Sequence, residues 1–113
     1  CRGQIEGAVA MGLGWALTEH MVHDVQGNVL NAALRNYHIP AFADTPRTTV
    51  LFADTHDTIG PLGAKAQGEC AINPVAPAVA HGPAHPTRVR FAHLPLTPDR
   101  IFDRLGGPES RPL

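Results

Sequence analysis

The chain is 113 residues long, 43% apolar, 5% aromatic and 17% charged, with a formal net charge of −1. That balance excludes the basic footprint of a nucleic-acid binder, and no apolar run approaches the ~18 residues of a membrane span. Eleven glycines and eleven prolines argue against a helix bundle and for a loop-rich α+β piece whose core comes from Ala, Val, Leu and Ile. Six carboxylates meet three arginines in residues 1–60, whereas five arginines meet three carboxylates in 88–113. Cys1 and Cys70 form no disulfide framework and read as reduced thiols of a cytoplasmic protein. There is no signal-peptide pattern, and the opening on Cys1 reads as a cut from something longer.

The first expected element is a long helix from Gly3 to about His23, with Ile5, Val9, Leu13, Ala16 and Leu17 at helical spacing. Gly7, Gly12 and Gly14 interrupt it at about 1 kcal/mol each relative to Ala. A helix that keeps them has something pressed against it, a neighbouring helix or a cofactor. Asp24 to Asn28 is a turn, with Gly27 supplying positive φ. Short strands are expected at 29–33, at 48–53 and near 88–93, the second being the richest in β-branched residues. Pro40 and Pro46 restrict the chain between the first two. Gly60 to Glu69 is a tight, glycine-rich loop that exposes its backbone. A small-residue helix follows from Cys70 to about Ala80, with Pro74 in its first turn and Pro77 hard to place. Thr97 as N-cap and Pro98 at the first helical position open a terminal helix over 98–105. Residues 106–113 read as a disordered tail.

Several familiar constellations fail on inspection. Gly12-Leu13-Gly14 has no third glycine and lies inside a helix, so it is no dinucleotide fingerprint. The His20/His23 and His81/His85 pairs lack the further ligands of a zinc site, and no metal-ligating side chain is expected. No Gly-x-Ser-x-Gly occurs; the single serine is Ser110. Glu69 carries two readings. It is an ordinary first-turn carboxylate favoured by the helix dipole, or it is a general base beside a cofactor whose edge lies against exposed amides. Gly60, Gly63 and Gly68 would permit that approach.

Five stretches together resemble one family. They are Gly3-Gln4-Ile5-Glu6-Gly7-Ala8 with Gly12-Leu13-Gly14; Tyr37-x-Ile39-Pro40 with Asp44-x-Pro46; and Gly60-Pro61-x-Gly63-Ala64-Lys65-x-x-Gly68-Glu69. Ala76-Pro77-Ala78 and Leu94-Pro95-Leu96-Thr97-Pro98 complete the set, in order, across residues 3–105. The chain is identified as similar to the large subunit of molybdenum hydroxylases, the xanthine dehydrogenase and aldehyde oxidase family, and its wording is nearest to the bacterial xanthine dehydrogenases. The resemblance implies that residues 1–105 are the C-terminal portion of a molybdopterin-binding domain.

The resemblance also implies roles. Glu69 matches the general base in an oxidative hydroxylation of purines or aldehydes. Gln4 matches a glutamine that hydrogen-bonds near the metal's oxygen ligand, and its side chain is expected to share a pocket with Glu69. The backbone of Gly63, Ala64, Lys65, Ala66 and Gly68 lies along the pterin of a molybdenum–molybdopterin cofactor, with or without a cytosine nucleotide. Gln67 lines the substrate pocket, and Lys65 is the chain's one lysine. Implied partners are the rest of the molybdenum subunit, 2Fe–2S clusters and FAD on other domains or subunits, and a small-molecule substrate; no nucleic acid or membrane is implied. A piece this short cannot enclose the cofactor, so it is expected to be inactive alone, and the competing reading is a non-enzymatic remnant of a truncated gene. One stretch departs from the family wording: His81-Gly82-Pro83-Ala84-His85-Pro86-Thr87 replaces the rest of a small-residue helix. It reads as a compensated frameshift or a tolerated surface loop, with the helix ending near Ala80–His81 and 82–87 irregular.

Overall fold

The computed structural model describes residues 1–106. The order of elements is helix α1 (Arg2–Leu17), three single 3₁₀ turns at Phe42–Asp44, Pro61–Gly63 and Cys70–Ile72, helix α2 (Val75–Thr87) and helix α3 (Pro98–Gly106). None of these helices is long and apolar enough to cross a membrane.

Small residues, not the large ones, face inward on α1. Ala8, Gly12 and Ala16 repeat every four residues and so lie on one face, and all three are buried. That face receives α2 and the Cys70–Ile72 turn. A Cβ placed on Gly12 would stand 2.6 Å from the Val75 Cβ. Gly14 lies on the other side of the helix, where a Cβ would meet the Glu19 carboxylate and stand 2.8 Å from Pro40 Cδ. Two of the three glycines are therefore explained by close approach, while a Cβ on Gly7 would meet nothing within 4 Å.

The helix stops at Leu17, short of the expected His23. Thr18 and Glu19 both donate their amides to the Gly14 carbonyl, at 2.9 and 2.8 Å. The chain then turns away through Asp24–Asn28. The Asp24 carboxylate accepts from the amides of Gln26 and Asn28, and Gly27 sits at φ 88° as its sequence position demands. Hydrogen bonds from the Asn28 side chain and the turn backbone hold the Asp24 carboxyl below the ordinary carboxylate range.

The strands expected at 29–33, 48–53 and 88–93 are not formed among the described residues. A single antiparallel bridge, His23 to Val29, is the trace of the first. Residues 46–56 have strand-type composition, but no backbone hydrogen bond joins them to another described segment. An extended stretch becomes a strand only when a second backbone answers its N–H and C=O groups, and none does so among the described residues.

The expected break at residues 82–87 is also corrected: α2 runs through Pro83 and Pro86 to Thr87. Pro77 falls in the first turn, where an amide has no helical acceptor in any case. Pro83 and Pro86 free the carbonyls of Val79 and Gly82, but the turn they occupy is largely open to water, which can satisfy them. Gly82 has no Cβ to clash with the Pro83 ring. Thr87 Oγ1 donates to the Pro83 carbonyl at 2.6 Å, and Arg88, at φ 59°, closes the helix by donating its amide to the Ala84 carbonyl. The irregular-loop expectation fails because this last turn is capped.

Helix α3 starts at Pro98, as the Thr97-Pro98 signal predicts, and its last residue, Gly106, corrects the expected tail boundary by one residue. The remainder of that expected tail lies outside the described residues. Just before α3, Leu96 is buried and donates its amide to the Ala16 carbonyl at 2.7 Å, docking this stretch onto the end of α1.

Two mutational outcomes follow from the glycine geometry. Gly12→Ala should destabilise the fold by about 1–3 kcal/mol through overpacking. Gly7→Ala should stabilise it by up to ~1 kcal/mol through helix propensity alone. Urea unfolding of the two variants should shift the midpoint in opposite directions. Pro83→Ala should add a helical N–H and raise stability by as much as ~3 kcal/mol; an unchanged melting temperature would show that α2 gains nothing from the restored bond.

Candidate functional site

The loop between residues 56 and 72 is built from within. Asp57 Oδ1 accepts from the amides of Ile59 (2.7 Å) and Gly60 (3.0 Å). The Asp57 amide donates to the Gly63 carbonyl at 3.0 Å, and Gly63 and Ala64 donate back to Gly60 and Pro61. These bonds wrap residues 57–64 into a closed turn. The two backbone donors hold the Asp57 carboxyl below the ordinary carboxylate range. An Asp three residues before a Gly is the local sequence signal for such a turn.

Within this turn two glycines serve the loop itself. A Cβ on Gly60 would collide with the Ala64 carbonyl oxygen, and one on Gly63 with the His56 ring. Gly63 also sits at φ 76°, a region open to glycine at no steric cost. Leu62 holds a similar conformation (φ 55°) and is fully exposed. Gly68 differs, since a Cβ there would meet open space.

Beyond Ala64 the backbone changes character. The amides of Lys65, Ala66, Gln67 and Gly68 donate to no acceptor among the described residues. Gln67 is half-buried; its Nε2 donates to the Gly68 carbonyl at 3.3 Å, and its Oε1 accepts from Cys70 Sγ at 3.3 Å. Glu69 precedes the Cys70–Ile72 turn and accepts the Ile72 amide on its carbonyl at 2.9 Å. Its carboxylate is exposed and takes no hydrogen bond among the described residues. Cys1 and Cys70 are both free thiols.

Gln4 lies in the first turn of α1 and is exposed, its amide donating to Cys1 at 3.0 Å. The packing of α1 on the Cys70–Ile72 turn carries Glu69 alongside α1. Gln67 and Cys70 are joined directly, with Glu69 next to Cys70 in the chain, whereas no hydrogen bond joins Gln4 to any of them. Neither Gln4 nor Glu69 lines either of the two troughs on the described surface.

The Tyr37–Pro40 motif has a structural task. Tyr37 donates its hydroxyl to Glu19 Oε2 at 2.8 Å, Thr18 Oγ1 donates to the His38 carbonyl at 2.9 Å, and Pro40 closes over Gly14. Donation to the Glu19 carboxylate pushes the Tyr37 phenol above its ordinary value. Asp44 caps the following turn by accepting the Ala41 amide at 2.7 Å and lies 3.5 Å from His38 Nε2.

A run of unbonded amides ending on an exposed carboxylate fits a planar, hydrogen-bonding anionic cofactor: the amides supply donors and Gly68 leaves room above the backbone. The model of the molybdopterin cofactor-binding domain matches residues 1–46. The putative xanthine dehydrogenase molybdenum-binding subunit XdhA of Escherichia coli K12 is 36% identical over 102 residues, which is 89% of this chain and 14% of that protein. The chain belongs to the molybdenum hydroxylase family. The aldehyde oxidoreductase molybdenum-binding subunit PaoC, also from Escherichia coli K12, is 37% identical over 106 residues, 92% of this chain and 14% of PaoC. Among solved structures, quinoline 2-oxidoreductase from Pseudomonas putida 86 superposes on 98% of this chain and 14% of its own, at 30% identity and a TM-score of 0.87. The Cu,Mo-CO dehydrogenase, at 22% identity, shares the fold with a TM-score of 0.81. The chain thus spans 14% of the length of such relatives.

The Asp57 turn makes the loop acid-sensitive. A carboxyl whose folded value is depressed stabilises the fold above its unfolded value, about 3.9, and that contribution is lost as pH falls through the lower folded value. Asp57→Ala should speed amide exchange at Ile59 and Gly60 at neutral pH. In the unaltered chain the same two amides should lose protection only in acid below about pH 4.

Proposed function

We propose that this chain is the C-terminal part of a cytoplasmic molybdenum-dependent hydroxylase, of xanthine dehydrogenase type, that oxidatively hydroxylates purines or aldehydes. One observation carries the proposal: the unbonded amides of Lys65 to Gly68 lead straight into the exposed carboxylate of Glu69. The backbone of Gly63, Ala64, Lys65, Ala66 and Gly68 holds the pterin edge, and the Lys65 ammonium meets its negative charge. When bound, the molybdenum–molybdopterin cofactor supplies the two-electron oxidation of an electron-poor carbon.

The chain's own residues then handle position and protons. Glu69 takes up a proton at its carboxylate while the new carbon–oxygen bond forms, as a general base does. Gln4, carried to the same region by α1, donates its side-chain amide to the oxygen being transferred. Gln67 lines the substrate pocket, with its side chain fixed by Gly68 and Cys70. The 2Fe–2S clusters and FAD that would accept the two electrons would lie on other domains or subunits. The 113 residues alone are inactive in this proposal, because their Glu69 loop is open to water on the described surface. Residues 46–56 find a strand partner in the rest of the subunit, which completes the α+β character there.

In the intact subunit, Glu69→Gln should retain molybdenum at the level of the unaltered enzyme and lose roughly 10²–10⁴-fold in turnover. Full turnover with normal metal content would overturn the assignment. Gln4→Ala should cost less, since a hydrogen bond to a charged group is worth about 1.5–3 kcal/mol; metal analysis alongside kcat separates this effect from cofactor loss.

A further inference from the structure

An open trough of about 720 Å³ lies between residues 90–96 and α3, far in sequence from the Glu69 loop. Its two walls are tied together by Arg100, whose Nη1 donates to the carbonyls of Leu94 (2.8 Å) and Pro95 (3.1 Å). The trough therefore holds its shape by bonds of its own, and Arg100 is already engaged. Arg90 and Arg104 also line it, together with the imidazole of His93. Neither of these two guanidinium groups has an ion pair or hydrogen bond among the described residues, and Asp103 is the one carboxylate in the lining. The rest of the lining is apolar: Phe91, Ala92, Leu94 and Leu96.

We propose that this trough docks an acidic segment of the same polypeptide that lies outside these 113 residues, with carboxylates on Arg90 and Arg104 and an apolar side chain against Phe91. The inference rests on the reading of the chain as part of a longer subunit. Guanidinium groups recognise carboxylates in a forked, two-bond geometry, which fixes the charge of the occupant. The volume and the apolar lining call for a peptide rather than a simple anion. The source follows from the state of the core. The described chain buries five apolar side chains, Ala8, Ala16, Val50, Val75 and Leu96, and leaves many larger ones exposed. A piece that spans 14% of its relatives and buries so little completes its surface from its own polypeptide.

Zero-length coupling tests this directly. Lys65 is the chain's one native lysine, so Arg90→Lys and Arg104→Lys each place a new amine in the trough of the intact subunit. Carbodiimide should join that amine to an Asp or Glu of the same polypeptide beyond the 113 residues, as read by mass spectrometry, and high salt should reduce the yield. Coupling to a different subunit, to Asp103 alone or to nothing would overturn the proposal. In a second arm, Arg90→Glu with Arg104→Glu should lower the melting temperature of the intact subunit while the double lysine variant keeps it. Equal melting temperatures for both would also overturn the docking. Neither readout depends on turnover, so loss of the Glu69 assignment leaves this result standing, and the reverse holds equally.

Discussion

The close approach of α2 to Gly12 sets the geometry of everything that follows. With Val75 where it is, no side chain fits at position 12, and the helix pair closes at a distance only a hydrogen allows. That contact brings the Cys70–Ile72 turn onto the same helix, and with it the backbone that leads in from Glu69. The other side of α1 is closed by Glu19, Tyr37 and Pro40 around Gly14, and its end by Leu96 on the Ala16 carbonyl. The small residues of one helix thus help gather three distant parts of the chain, residues 69–75, Tyr37–Pro40 and Leu96.

Much of this was legible in the residues. Glycines kept inside a helical pattern signalled a close neighbour, and Gly12 and Gly14 have one. Asp24–Gly27 behaves as local chemistry dictates, because a turn needs nothing beyond its own few residues; α3 starts at Pro98 as expected, although Thr97 Oγ1 caps no amide among the described residues. The ordered motifs located the family, and their order along the chain did more than any one motif's strength.

What was not legible depends on partners or on context. Thr48 to Ala53 has the composition of a strand, yet a ladder needs a second backbone, and composition cannot report whether one exists. The prolines of α2 misled for the opposite reason. Pro83 and Pro86 were weighed as if mid-helix, whereas they occupy a solvent-facing last turn closed by Thr87 and Arg88. At the Glu69 loop, three glycines suggested cofactor approach, but Gly60 and Gly63 are consumed by Ala64 and His56. Gly68 alone keeps its open side.

The composition of α1 also bears on the order in which the protein is made. A ribosome delivers α1 before α2, and Val75 leaves it roughly sixty residues after Gly12. At the ~5–20 residues per second of synthesis the helix waits seconds for its partner. Ala8, Gly12 and Ala16 keep the face that waits for α2 free of oily surface during that interval, although Met11, Trp15 and Leu17 are exposed elsewhere on the helix. Leucines on the waiting face would make it adhesive before α2 arrives and would then bar the close approach of Val75.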